Sequence, residues 1–323
     1  MTKSHLSKIN LIAFGVLLSC VFLYIFYKAT HVPVTHDELG TIFFYSKYSY
    51  WDIMMYPDSI PNNHILNTLM VKPLIFVFGI DELVVRMPNI LSFLLYAFGA
   101  YRIIISVLGK TSLFFIPASI LFVMNPYLLD FFGLCRGYGV SIGFVTLSLS
   151  YLITSFKFSN SRHLWFALIF SCFASYANFT SLIFWASVCL FVLLYYVINR
   201  KGENPLSNGK FALMILLGLG YAVLILNPIL KMQNDDQFRF WTSNGFAEET
   251  VKSLVHNGVY GSRIFLTVNF ISYFCMIIFA LHLIILAAKF IKSNEKLADL
   301  RKPEYSVTLI LLLTIVINIL QTV

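Results

Sequence analysis

The chain has 323 residues, 59% of them hydrophobic and 12% charged, with a formal net charge of +8 and a mean hydropathy of +0.79. Soluble domains carry about 25% charged residues, so a soluble fold is excluded and an integral membrane protein is expected. The basic excess reads as an orienting charge that faces anionic inner-leaflet lipids, and it does not imply nucleic-acid binding. The five cysteines (Cys20, Cys135, Cys172, Cys189 and Cys275) have no metal or redox spacing and read as small packing residues.

Lys3 and Lys8 precede an apolar run over 9–27, about one bilayer crossing. Leu17-Leu18-Ser19-Cys20 looks like a lipoprotein cleavage box, but the apolar run continues beyond it and no polar tether follows. An uncleaved first span is therefore expected. A long polar segment, 28–83, comes next. Thr35-His36-Asp37-Glu38-Leu39-Gly40 places two adjacent carboxylates near its start, and charge is scarce and costly beside a bilayer, so the pair is a functional hypothesis. Leu39–Tyr50 reads as an interfacial helix, and the turn-rich stretch from Trp51 to His64 as a lid or cavity wall. The run Ile65–Ile80 spans about 24 Å as a helix, short of the roughly 30 Å hydrocarbon core. It carries Lys72 and Pro73 at its centre. His64, Thr68 and Lys72 form a polar stripe at helical spacing, so this segment is expected to lie in the interface as an amphipathic helix.

Further apolar runs lie near 84–108, 113–129, 138–156, 164–180, 182–198, 211–230, 263–291 and 305–323, giving about nine spans in an all-α helical bundle. With a cytoplasmic N-terminus, the inner segments hold 14 Lys and Arg against 4 acidic residues, and the outer segments 9 against 11. That is the bias of the positive-inside rule. Residues 28–83 and 231–262 then become external loops of a single transmembrane domain over 1–323. The last run ends at Val323 with no polar flank, an ending that suits a chain continuing further.

A second polar cluster, Asn125-Pro126 through Asp130, Arg136 and Tyr138, falls at the same membrane face as Asp37. Asp130 and Arg136 have two readings: they pair with each other to close a helix hairpin, or they contact substrate. Arg86 has the same two readings, a structural role or a direct contact with substrate, and the favoured one is an anchor of the neighbouring interfacial helix. Asp235, Asp236, Arg239, Trp241 and His256 in the second external loop either contact an acceptor or form a solvated loop with an interfacial Trp. Asn178-Phe179-Thr180 matches a glycosylation sequon but sits in a tight turn and reads as accidental.

The order of these features resembles the GT-C superfamily of polyprenyl-phosphate-sugar-dependent glycosyltransferases, which includes the protein O-mannosyltransferases and the aminoarabinose transferases of lipid A. The resemblance rests on the acidic loop, Asn62-Asn63-His64-Ile65-Leu66-Asn67, Phe78-Gly79, Arg86-Met87-Pro88, Asn125-Pro126 and Arg136-Gly137-Tyr138, and covers about residues 1–200. It implies an inverting sugar transfer at the external face, from a polyprenyl-phosphate donor to a lipid, glycan or protein acceptor. Asp37 matches the catalytic acidic position, with Glu38 beside it. A hydroxyl nucleophile needs such a carboxylate within hydrogen-bond reach, and a leaving phosphate needs cationic partners, for which Arg136 and Lys72 are the candidates. His64, Asp130 and Tyr138 complete the expected substrate-binding set. A divalent metal is possible in this superfamily, with His64, Asp130 and Asp37 as conceivable ligands, although no spacing demands one. The compact chain without a retention signal fits a bacterial inner membrane. Competing readings are a multi-span transporter or lipid flippase, disfavoured by nearly uncharged span centres, and a non-catalytic scaffold.

Overall fold

The computed structural model describes residues 3–157, 160–198, 206–235, 237, 251–258, 265–292, 308 and 311–315. Among them every regular element is helical. The long apolar helices are α1 (Lys3–His31), α5 (Glu82–Val107), α8 (Gly137–Lys157), α10 (Leu182–Ile198), α11 (Asn208–Asn234) and α13 (Phe265–Lys292). These six are long and apolar enough to cross a membrane, as expected of an integral multi-pass membrane protein.

The expected count of nine is not reached among the described residues, for three reasons. The run 113–129 is broken into α6 (Phe115–Val123) and α7 (Pro126–Phe132), bent by 56°. Pro126 has no N–H to give the carbonyl of Phe122 four residues back. The Tyr96 hydroxyl takes that carbonyl instead, while the Asn125 side chain accepts from Leu128 N at 3.3 Å and starts the new helix. Run 164–180 becomes α9 (Ser161–Ala177), whose 17 residues reach only about 26 Å, whereas α10 counts as a span through the tight turn that precedes it, which lengthens the helix to 19 residues over Phe179–Val197. The last run, 305–323, lies for the most part outside the described residues.

The first polar segment also departs from expectation. Leu39–Tyr50 is not one helix. A single turn, α2 (His36–Leu39), passes into a π-helical turn over Gly40–Phe44 and a tighter turn over Tyr45–Lys47, followed by α3 (Tyr50–Met55). Helix α4 (Ile65–Phe78) is short, as expected, at 14 residues. Its polar stripe, however, is turned inward: His64 and Thr68 are buried. The reason is that α4 packs antiparallel on α5, with Val71 and Val85 in one apolar cluster and Asn89 Nδ2 donating to Asn67 Oδ1 at 2.8 Å. Gly79, at φ 80°, adopts the left-handed turn that an L side chain rarely takes, and Asp81 caps α5 by accepting from Leu83 N at 2.9 Å. This hairpin sets Asn67 level with the second turn of α5, about 10 Å along its axis, and carries the N-terminal end of α4 deeper still.

Helix α8 is the centre of the bundle, packed along α5 on one side and α9 on the other. Small residues permit the approach. A Cβ on Gly143 would stand 2.8 Å from Ser92 O, and one on Gly99 would stand 2.9 Å from Leu147 N. Ser148 on α8 donates to Ala167 O on α9 at 2.7 Å, and the Asn89 side chain accepts from Val140 N at 3.1 Å. Buried polar side chains thus join α4, α5 and α8 at the end of the bundle that carries the 32–64 segment, and the Ser148 bond ties α8 to α9 near mid-helix.

Candidate active site

The site is built on a buried ion pair. Arg86 and Glu38 both have fully buried side chains, and each has every hydrogen-bonding position filled. Arg86 Nε and Nη2 donate to Glu38 Oε1 and Oε2 at 2.8 and 2.9 Å. Its remaining N–H groups reach Ala29 O, Val32 O and Pro33 O at 2.8, 2.7 and 3.2 Å, which satisfies carbonyls left open at the C-terminus of α1. Glu38 also accepts from Thr35 N at 2.8 Å, closing a capping box on α2, and from Cys135 N at 2.7 Å. Burial pushes the Glu38 carboxyl upward, but the bonds from Arg86, Cys135 and Thr35 outweigh it and hold its pKa below the ordinary value. The two adjacent carboxylates of the sequence are therefore different groups. Glu38 is closed off as a fold anchor, and Asp37 is about half exposed, at 48%.

The Glu38–Cys135 bond sets Asp37 opposite Arg136. Arg136 Nη1 donates to Asp37 Oδ2, and Nη2 reaches Asn62 Oδ1 at 3.4 Å. Asn62 returns to the same loop, its Nδ2 donating to Asp37 O at 3.1 Å. Gly40 is needed for this approach, because a Cβ there would stand 2.8 Å from Asn62 Nδ2. The Tyr138 ring lies 5.0 Å from the Arg136 guanidinium. It also packs 4.9 Å from the Phe131 ring and 5.2 Å from that of His64.

Arg136 is shared between this cluster and a cavity of about 320 Å³, whose wall includes Tyr56, His64, Arg136, Tyr138, Tyr176 and Asn178. His64 precedes α4 and is 6% exposed. Burial, followed by the neighbouring Arg136 charge, pushes its pKa down to about 3 against a weaker opposing effect of the Ala177 backbone, so the imidazole is neutral. Gly137 lets these segments meet, since a Cβ there would fall 1.9 Å from Ala177 O and 2.8 Å from His64 Cβ. Tyr56 holds φ at 62°, an uncommon conformation for a bulky residue. Lys231 Nζ on α11 donates to its carbonyl at 2.7 Å.

The structure thus brings together Asp37, Arg136, Tyr138 and His64. Lys72 stands apart. It lies two turns along α4 from His64, about 12 Å, and donates to Ser46 O and Tyr48 O at 2.7 and 2.8 Å. Asp130 does not pair with Arg136, as one reading had it; its partner is Lys28 in the last turn of α1. Arg86 anchors the end of α1 and the turn α2; its hydrogen bonds go to Glu38, Ala29, Val32 and Pro33, and not to α4, the helix it was expected to hold. Among the described residues no three His, Cys, Asp or Glu side chains form a group that could hold a metal, and His64, Asp130 and Asp37 do not converge. In the segment 231–262, expected to be a second external loop, Asp236, Arg239 and Trp241 lie outside the described residues. Asp235 follows the end of α11, and His256 lies in the short helix α12 (Ser253–Gly258). Tyr56 lies in the stretch expected to form a cavity wall and does line the cavity; sequence reasoning missed Tyr176 and Asn178. The last was passed over as a sequon, although its side chain caps the turn by accepting from Thr180 N at 3.1 Å.

No family model matches the chain, and neither a curated protein nor a solved structure matches it.

Proposed function

We propose that the chain is a membrane glycosyltransferase of the GT-C kind, with about nine spans, moving a sugar from a polyprenyl-phosphate donor to a lipid, glycan or protein hydroxyl. The observation that carries this reading is a half-exposed carboxylate, Asp37, fixed by Arg136 beside a cavity. In the transfer the acceptor oxygen bonds to the anomeric carbon as the bond from that carbon to the phosphate oxygen breaks, with inversion. The acceptor proton passes to Asp37, and the polyprenyl phosphate leaves with the bonding electron pair. Protonation neutralises Asp37, so the Arg136 charge is released from its partner while negative charge grows on the leaving phosphate. Glu38 takes no part in the chemistry, because Arg86 and two backbone N–H groups use its carboxylate fully. The distribution of Lys and Arg supports an external site and a cytoplasmic N-terminus.

The test is transfer of a radiolabelled sugar from a polyprenyl-phosphate donor by the purified full chain in lipid. Asp37→Asn is expected to abolish transfer with unchanged insertion and elution on size exclusion. Near-normal transfer by that variant refutes the role of Asp37. Uptake or flipping of lipid-linked sugar in liposomes without transfer replaces the enzyme reading with transport.

A further inference from the structure

Arg86 and Arg136 each hold a carboxylate, Glu38 and Asp37. Arg102, toward the other end of α5, is held differently. Its Nε and Nη2 donate to Ser150 Oγ and Thr154 Oγ1 on α8, both at 3.2 Å. Those hydroxyls donate in turn to carbonyls of their own helix, so they accept from Arg102 without supplying charge. The guanidinium carbon lies 4.1 Å from the Tyr151 ring centroid and 5.7 Å from that of Phe98. Helices α5, α8 and α9 carry one acidic residue between them, Glu82. It stands at the start of α5, about 30 Å from Arg102 along the axis. That is also roughly the 30 Å thickness of a hydrocarbon core. With Glu82 at one boundary, Arg102 reaches the other, where the phosphates of the leaflet opposite Asp37 begin. An ionisable residue in a bilayer takes a partner, and Arg102 has Nη1 to offer one. This nitrogen has no protein partner among the described residues, and it is not one of the atoms sealed from the surroundings.

A track of rings leads from Arg102 toward the bilayer centre. The Tyr151 ring packs 5.0 Å from Phe166 and 5.7 Å from Phe170 on α9. Phe144 follows, 5.9 Å from Phe170 and 5.4 Å from Phe173. From Tyr151 to Phe144 the track climbs about 10 Å along α8. Phe98, Phe166 and Phe173 are exposed, so this surface faces lipid. Chemistry then selects the headgroup. The planar guanidinium matches a phosphate, which accepts two parallel N–H bonds. A headgroup amine would find no carboxylate at this end of α5, α8 or α9, nor in the connections 108–114 and 158–160. A phosphodiester with an uncharged headgroup brings a single negative charge, which balances Arg102.

We propose that Arg102 and the ring track bind one anionic phospholipid of the leaflet opposite Asp37. Its phosphate is taken by Nη1, and one acyl chain lies along the rings. Basic pockets between spanning helices hold anionic headgroups for the same electrostatic reason. The site is remote from Asp37 and does not depend on sugar transfer.

Native mass spectrometry of the full chain in detergent tests this, with phosphatidylglycerol, phosphatidylcholine and inorganic phosphate as probes. One phosphatidylglycerol is expected to bind, about fivefold tighter than phosphatidylcholine, the gain from one cation near an anionic lipid surface. Arg102→Gln is expected to remove that preference. Lys210→Gln, which removes an exposed charge in the first turn of α11, is expected to keep it. Phe166→Ala is expected to weaken long-chain phosphatidylglycerol several-fold and to leave a short-chain form unchanged, because the chain loses apolar contact. The proposal is overturned if the two lipids bind alike or if Arg102→Gln keeps the preference. Loss of the preference in Lys210→Gln overturns it too, by reducing the effect to general charge. Displacement of the lipid by an equal concentration of inorganic phosphate would make this a site for the free anion and also overturns it. Should Arg102→Gln not fold, Phe166→Ala decides: weaker long-chain binding supports the site, and unchanged binding overturns it.

Discussion

Glu38 Oε1 accepts from the backbone N–H of Cys135 at 2.7 Å, a bond that joins segments 97 residues apart. The next residue on either side of that bond, Asp37 and Arg136, is what the site uses. Because both Glu38 oxygens are also fixed by Arg86, the carboxylate exposed next to it is held by the fold and not by a loose loop. Positions of reacting groups matter at the scale of 1 Å, so a buried lock beneath an exposed carboxylate is a plain means of preorganisation.

Glu38→Gln is expected to destabilise the protein by about 3–5 kcal/mol, the cost of leaving one partner of a buried ion pair uncompensated. The amide NH2 also turns donors toward Arg86 Nη2 or Thr35 N, which are themselves donors. Urea or thermal unfolding in detergent checks this. The double change Glu38→Leu with Arg86→Met is expected to recover part of the loss, as apolar replacements of whole buried pairs do.

Arg136→Lys separates placement from charge. The ammonium keeps the charge but cannot span Asp37 and Asn62 with two planar N–H groups. Sugar transfer is expected to fall about 100-fold. Stability is expected to change by less than about 1 kcal/mol, because the pair is partly exposed. Equal loss of transfer and folded protein would place Arg136 among the fold anchors.

Two glycines make a matched pair. A Cβ on Gly137 meets the Ala177 carbonyl at 1.9 Å, and backbone cannot step aside as a flexible side chain does, while Gly15 in α1 has nothing within 4 Å. Gly137→Ala is expected to cost several kcal/mol and to disturb the cavity wall. Gly15→Ala is expected to stabilise the chain by about 0.5–1 kcal/mol through helix propensity. Thermal unfolding of both variants tests the close approach of α8 and α9.

The helices were legible in the sequence because an apolar run of bilayer length has few alternatives. The break at Asn125-Pro126 was visible as residues, yet hydropathy runs unbroken across 113–129, and only a missing N–H ends the helix there. Asp37, Arg136, His64 and Tyr138 were legible as polar residues in an apolar chain. Their partners were not. Asp130 turns to Lys28 and Arg136 to Asp37 because Glu38 captures Cys135 N, a contact with no local periodicity. Tyr176 and Asn178 carried no signal of their own: each sits at the end of an apolar helix and reaches the cavity through the packing of α8 against α9.

Acid stability should report on His64. Its pKa falls from about 6.5 in the unfolded chain to about 3 in the folded one, so below pH 6.5 the unfolded state binds a proton that the folded state refuses. The His64 contribution is fully present above pH 6.5 and is lost progressively as pH falls toward 3. The slope approaches 1.4 kcal/mol per pH unit. Glu38 acts in the same direction but lower, since its folded pKa lies below 4.5 and its stabilisation is lost only as pH falls through that lower value. The unfolding midpoint in detergent is therefore expected to drop between pH 6.5 and 5, and His64→Gln to flatten that limb while keeping the loss below pH 4.5. An unaltered limb in His64→Gln would mean that the imidazole is protonated in place, with water or an anion beside it, and not held neutral against Arg136.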